Sequence, residues 1–344
     1  MKIINPSNAI NAKILSKYGK RLKEKDYLAM IKFKRISEIV TYLKNSDTQY
    51  QKFLSSIDER TIKRGELEQI IRKNIFLGLF SLCRYENSGD GYFKEFFVMY
   101  LETKEISTFL SLLSIGQQKE YRYLYPNYLE EFTHLDFKRI ILSNTYEELL
   151  EALKSSPYYP ILNSFKTSDN ETLDISRILD SLDRFIQDTL YKNIYKRKYD
   201  IKDIKKLFNL LNDFENATRI YRLKKFYNMP DDLIFSHLRH HGDISDNKAK
   251  LMIENTSYED FIDLITKQFK ISYNKSDVYD NFEQYLNIKK YEYTNRTIHF
   301  TQSTDTVIMC YIILSENELY NIINIIEGVR YGLTPEEIDS LLIY

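Results

Sequence analysis

A chain of 344 residues with 9 Gly, 6 Pro and no Trp, against 29 Tyr and 20 Phe, is poor in residues that break helices; an average chain carries about 12% Gly plus Pro. That scarcity excludes a fold of many short strands joined by tight turns and a glycine-dependent dinucleotide-binding sheet, and leaves an all-α protein of long helices. With 49 basic and 49 acidic residues the formal charge is zero, which excludes general nucleic-acid binding through an excess of Lys and Arg.

In chain order, the opening MKIINPSNAINAK has no apolar stretch of the signal-peptide kind. A first short apolar helix is expected over Asp26–Phe33 and an amphipathic one over Arg35–Leu43. Long helices follow over Thr61–Tyr85 and Phe93–Leu113, parted by the glycine-rich turn Asn87–Gly91. The same order then recurs as Asp136–Leu142, Thr145–Leu153, Thr172–Lys196 and Ile201–Phe226, with breaks at Ser156–Pro160 and Asn228–Pro230. It recurs once more as Asn247–Ile253, Ser257–Ile265, Asp277–Tyr293 and Asp305–Val329, with a break at Thr301–Thr304. Gly332 stops the last long helix, and Thr334-Pro335-Glu336-Glu337 starts a final one reaching about Leu342.

The second helix of each set starts alike: RISEIVTYL at 35, TYEELLEAL at 145 and SYEDFIDLI at 257, which are 110 and 112 residues apart. Thr145 with Glu148 and Ser257 with Asp260 fit the reciprocal capping pattern, whereas Arg35 replaces the hydroxyl in the first copy. On the last long helix of each set Glu105, Asn216 and Asn321 align. Four elements in one order, three times, define pseudo-symmetric helical repeats over residues 1–115, 116–228 and 229–344.

The longest apolar runs, near 75–83 and 307–314, fall short of the about 18–20 residues that span a bilayer, so a cytosolic-side protein is expected and its N-x-S/T sequons are chance matches. Cys83 and Cys310, far apart in apolar runs, read as buried free thiols. Walker, H-E-x-x-H, C-x-x-C and G-x-S-x-G motifs are absent. His237, His240 and His241 share metal-ligand spacing on a helix, and Asp243 or Asp246 could reach as a third ligand, but with the other histidines remote and no cysteine near they read as a solvated helix end. Tyr191–Tyr199 (YKNIYKRKY) interleaves aromatics and cations as single-stranded nucleic-acid binders do, yet its apolar stripe makes it another solvated helix end. No catalytic residue, cofactor or metal ligand emerges.

The segment Asn8–Tyr27 (NAINAKILSKYGKRLKEKDY) resembles the start of the C subunit of bacterial and archaeal V/A-type ATPases, the counterpart of the eukaryotic d subunit. Leu43–Tyr50 is similar to that family's L-x-x-T-x-Y ending of a helix, and Phe214–Lys225 (FENATRIYRLKK) to its N-L-x-x-I-x-R-x-K helix. The end, Glu316–Leu342, resembles its E-x-x-N-I…G-x-x-x-G-L…L pattern through Asn321, Gly328, Gly332 and Leu333. This chain departs from the family at Ile322-Ile323, where an Arg often follows the Asn-Ile pair, and at Glu105, which takes the Asn place.

The resemblance implies a three-lobed, funnel-shaped, non-catalytic central-stalk subunit at the cytoplasmic face of the membrane. It would be a socket between the rotating shaft subunits and the membrane rotor ring of proteolipids, in ATP-linked proton or sodium transport. Neither nucleic acid nor a membrane span is implied. Asn216, Arg219, Arg222 and Asn321 are the candidate partner-interface residues, each also suited to an intramolecular hydrogen bond. The residues alone also fit a helical-repeat scaffold with an unrelated partner.

Overall fold

The computed structural model describes residues 6–83, 92–166, 173–196, 201–254, 258–271 and 282–344. The described residues are helical throughout their regular structure, with no strand among them. The helices are α1 (Pro6–Tyr18), α2 (Glu24–Met30), α3 (Ile36–Asn45), α4 (Tyr50–Leu54), α5 (Arg64–Cys83), α6 (Tyr92–Ser114), α7 (Tyr121–Leu124), α8 (Phe137–Leu142) and α9 (Tyr146–Ala152). They continue as α10 (Tyr159–Asn163), α11 (Ile175–Lys196), α12 (Ile201–Lys225), α13 (Asp231–Ser236), α14 (Asp246–Glu254), α15 (Tyr258–Phe269), α16 (Phe282–Phe300), α17 (Thr304–Tyr331) and α18 (Pro335–Asp339). A helix overlaps each one expected from the repeat, but the one expected over Asp277–Tyr293 runs on to Phe300, and residues 277–281 lie outside the described residues. Two short helices lead in (α2–α3, α8–α9, α14–α15) and two long ones follow (α5–α6, α11–α12, α16–α17).

The contacts divide the chain into a unit of residues 88–198 and a unit formed by residues 1–87 with 199–344. In the smaller unit α6 packs along α11. The sequence of α11 dictates this, because Ile178, Leu182, Ile186, Leu190 and Ile194 recur every fourth residue and are all buried. Phe97, Ile106, Phe109 and Leu110 of α6 are buried too. Each such side chain contributes about 1.5–3 kcal/mol relative to exposure.

In the larger unit α12 packs on α16, and α5 on α17. Phe214, Ile220 and Tyr221 of α12 join Phe282 and Leu286 of α16 in one cluster with Met252 and Ile253 of α14 and Ile262 of α15. One rule therefore describes the long helices. The second long helix of each set meets the first long helix of the next: α6 with α11, α12 with α16, and α17 with α5.

The ends of α17 follow from local chemistry. Ser303 Oγ accepts from the amide of Thr306 at its start. At its finish Gly332 takes φ 70° as the left-handed stop. Thr334 Oγ1 then accepts from Glu337 N at 3.2 Å while the Glu337 carboxylate accepts from Thr334 N at 2.7 Å, which starts α18. The final helix ends at Asp339 rather than near Leu342; the backbone beyond it is taken by asparagines of α17, as described below. In the second set Thr145 Oγ1 accepts from Glu148 N at 3.2 Å as expected, but Glu148 reaches one residue further back, to Asn144 N at 2.6 Å. Ser257, the turn Asn87–Gly91 and residues 197–199 lie outside the described residues, as does the side chain of Cys83, whereas Cys310 is a buried free thiol.

Gly328 marks the closest approach of α17 to α18, since a Cβ there would lie 2.5 Å from Ile338 Cγ1. Gly78, inside α5, has nothing within 4 Å of such a Cβ. Gly328→Ala should lower unfolding free energy by about 1–3 kcal/mol through overpacking, and Gly78→Ala should raise it by up to about 1 kcal/mol through helix propensity. Urea unfolding followed by circular dichroism reads both signs.

Candidate functional site

Polar residues on the second long helices grip the chain that follows. On α12, Asn209, Asn212, Asp213, Asn216 and Arg219 fall at steps of three and four, on one face. Asn216 forms a two-way bond with Arg239: its Nδ2 donates to Arg239 O at 3.1 Å and its Oδ1 accepts from Arg239 N at 2.8 Å. The Asp213 carboxylate accepts from Asp243 N at 3.0 Å and from Ile244 N at 3.1 Å. Arg219 donates to His237 O at 2.8 Å and Asn209 to the Asp243 carboxylate at 2.6 Å. Residues 237–244 thus lie along α12, and only Gly242 fits there, because a Cβ would sit 2.2 Å from Asp213 Oδ1.

This overturns the expectation that the histidines share a helix. Helix α13 ends at Ser236, and His240 and His241 belong to the clasped loop. The backbone amides that would extend the helix go to α12 instead. No group of His, Cys, Asp and Glu suited to a metal ion occurs among the described residues. The 191–196 part of YKNIYKRKY is the end of α11, with Tyr191 and Ile194 buried and Lys192 and Lys196 exposed.

Helix α17 repeats the arrangement. Asn321, fully buried, donates to Ile343 O at 2.6 Å and accepts from Ile343 N at 2.9 Å, while Asn317 donates to the same carbonyl and Asn324 to Leu341 O. Three residues before Asn321 stands Glu318, also fully buried. Its carboxylate accepts from Arg21 Nε at 3.1 Å, Leu22 N at 3.0 Å, Gln49 Nε2 at 2.9 Å and the Tyr50 hydroxyl. Arg21 also donates to Leu314 O at 2.7 Å. Burial pushes the Glu318 carboxyl up, and Arg21 and the other donors oppose it. Arg21 is held charged by Glu318 against its own burial. Burial, reinforced by Glu318, raises the hydroxyl pKa of both Tyr27 and Tyr50.

The same step of three leads from Glu105 to Glu102 on α6, where the Glu102 carboxylate accepts from the hydroxyls of Thr133 and Tyr158, the latter at 2.7 Å. Tyr50 and Tyr158 are matching donors, each following the second short helix of its set. Glu105 cannot reproduce the asparagine clasp, since a carboxylate has no N–H, and it accepts from Tyr121 OH at 2.7 Å instead. The carboxylate position, Glu102, Asp213 and Glu318, escaped sequence reasoning. Its signal was an acid three residues ahead of each aligned Glu/Asn/Asn.

The four interface candidates therefore separate. Asn216 and Asn321 are buried and bonded to backbone, and Arg219 is half-buried against His237 and Glu215. Arg222, the most exposed of the four candidates, lines an open recess of about 340 Å³ with Glu215, Glu283, Lys290, Asn317 and Tyr320. It pairs there through both nitrogens with Glu283, with Nε to Oε2 at 2.7 Å. Burial raises the Glu215 carboxyl, but Arg239, Lys290, Arg219 and Arg222 outweigh it and hold the group below its ordinary range.

Burial lifts Asp213 to about 6 despite its two amide donors. A folded pKa above the unfolded one gives stability below the ordinary carboxylate range that is lost as pH rises through about 6. The stability of wild type relative to Asp213→Asn should therefore fall by about 2–3 kcal/mol between pH 4 and pH 7, read by denaturant melts across that range. Glu318→Ala strands Arg21 without its partner and should cost about 3–5 kcal/mol.

The chain matches the family described as ATP synthase (C/AC39) subunit over residues 10–341. It is similar to the C subunit of the A-type ATP synthase of Methanosarcina mazei, 26% identical over 327 residues, which cover 90% of this chain and 85% of that protein. It is also similar to the C subunit of the A-type ATP synthase of Methanosarcina barkeri, 28% identical over 225 residues that cover 62% of this chain and 59% of that one.

Proposed function

The chain belongs to the ATP synthase (C/AC39) subunit family, and on that premise we propose that it is the non-catalytic central-stalk subunit of a rotary V/A-type ATPase. In this role it is a socket: it receives the central-shaft subunits and stands on the proteolipid rotor ring at the cytoplasmic face of the membrane. Rotation then passes between ATP chemistry and proton or sodium transport. Among the described residues no helix is long and apolar enough to cross a membrane, which suits attachment through the ring rather than through the bilayer.

The observation that carries this reading is the recurring pairing of long helices, α6 with α11, α12 with α16 and α17 with α5. It supports three pseudo-symmetric repeats over 1–115, 116–228 and 229–344. Packed helices with few glycines change shape little under load, as a torque-bearing part requires. The partner surface on this reading includes the recess around Arg222, with Arg219 beside it, while Asn216 and Asn321 act on a partner through the segments they hold in place.

Deleting the gene should uncouple ATP hydrolysis from ion pumping in membrane vesicles, and adding the purified chain back should restore it. The tagged chain should recover shaft and ring subunits. Coupled pumping without the chain contradicts the proposal, and recovery of an unrelated partner alone would favour the scaffold reading. Arg222→Glu, which reverses an exposed charge, should weaken shaft binding about tenfold with little change in melting temperature, measured by titration and thermal melts.

A further inference from the structure

Two side-chain contacts fix α12 and α16 as antiparallel neighbours. Near one end of the pair Arg222 meets Glu283, and near the other the Thr301 hydroxyl donates to Asp203 at 2.7 Å. At the first end cation and carboxylate satisfy each other; at the second they do not. An open recess of about 370 Å³ lies there, lined by Asp203 and Lys206 of α12 and by Tyr293, Arg296, Phe300 and Thr301 at the end of α16.

Two cations line this recess against one carboxylate among the described residues. Each cation has an acid at ion-pair spacing on its own helix, Asp203 three residues before Lys206 and Glu292 four before Arg296. Both acids bond elsewhere: Asp203 accepts from Thr301, and Glu292 from Lys289 Nζ at 2.9 Å. Asp243, which also acts on Tyr293, accepts from Asn209 Nδ2 at 2.6 Å. Lys206 and Arg296 are exposed, and their side chains make no hydrogen bond or ion pair among the described residues. Lys202, one turn before Lys206 on the same side of α12, is a further exposed cation without such a bond. Beside them Phe300 is 77% exposed, more than any other large apolar side chain among the described residues. Aromatic rings and arginine are the side chains in which protein interfaces are enriched.

We propose that this recess docks an acidic segment of a protein partner, its carboxylates meeting Lys206 and Arg296 and an apolar side chain covering Phe300. Phosphate chemistry fits less well, because nearby backbone amides are already used: Thr301 N donates to Thr297 O at 3.0 Å and Ser303 N to Thr301 Oγ1 at 3.2 Å. A lipid surface calls for a broad face of several bulky apolar side chains, and among the described residues of this lining Phe300 alone is exposed in that way. The surface is separate from the recess around Arg222, and the inference uses only the reading that the chain works within a protein assembly.

The test titrates the purified full chain into a fluorescein-labelled Gly-Ser peptide carrying one Glu-Leu-Glu, followed by anisotropy at low salt. Binding should weaken at least about tenfold in Lys206→Gln with Arg296→Gln, and about threefold in Phe300→Ser. Lys34→Gln with Arg35→Gln, which removes two exposed cations elsewhere, should leave it unchanged. Binding should also fall steeply with added salt and be absent for the peptide with Gln in place of Glu. Every substituted side chain is exposed, so an unchanged melting curve verifies the fold of each variant. Inorganic pyrophosphate, a single-stranded oligonucleotide and vesicles containing phosphatidylglycerol are the competing arms and should not displace the peptide at equal concentration. No binding of the acidic peptide, equal binding by the variant lacking Lys206 and Arg296, an equal loss in the variant lacking Lys34 and Arg35, no change in Phe300→Ser, or tighter binding of a competitor through Lys206 and Arg296 overturns the proposal. Because the readout needs no other component of the ATPase, it stands or falls separately from coupling in membrane vesicles.

Discussion

A buried carboxylate on the second long helix of a set, bonded to the segment that leads into another set of helices, is the interaction on which the rest of this structure depends. Glu318 is its fullest form. It draws Arg21, Leu22, Gln49 and Tyr50 onto α17 from positions 268 to 297 residues away in sequence. A charge with no exposed surface is costly unless paired and hydrogen-bonded. Glu318 meets that condition with four donors, and its environment thereby specifies which segment must lie there. An apolar contact of equal area would hold the segment without fixing its register.

Asn321 does the complementary work one turn further along. An amide side chain both donates and accepts, so it can replace a lost turn of backbone pairing, which is why the chain after Asp339 leaves the helix yet keeps its bonds at Ile343. Asn216 treats Arg239 in the same way. The start and the end of the chain are thus both held on α17, and Tyr27 stacks on Tyr344 with ring centroids 5.3 Å apart. At Gly242 and Gly328 the packing leaves no room for a Cβ, which would lie 2.2 Å from Asp213 Oδ1 and 2.5 Å from Ile338 Cγ1.

Much of this was legible in the sequence. Periodicity placed the long helices, because each face that packs is apolar at steps of three and four, as Ile178, Leu182 and Ile186 show. Gly332 and Thr334 marked their turns through chemistry contained within a few residues. What stayed hidden was non-local. Periodicity says which face of α17 is apolar but not that α5 meets it, and a buried Glu318 looks in sequence like any solvated acid. The histidines at 237–241 misled for the same reason: helical spacing is a local inference, and the bonds from Asn216 and Asp213 that pull this segment out of a helix come from another element.

The most direct test of the central claim is native-state hydrogen exchange at two amides, Leu22 and Ile343, neither of which lies in a helix. Both donate to buried side chains of α17, Leu22 to Glu318 at 3.0 Å and Ile343 to Asn321 at 2.9 Å. The account predicts that both exchange as slowly as amides in the middle of α17, opening only with the larger unit as a whole. Exchange of Ile343 at the rate of a free chain end, or of Leu22 at the rate of an open loop, would contradict it.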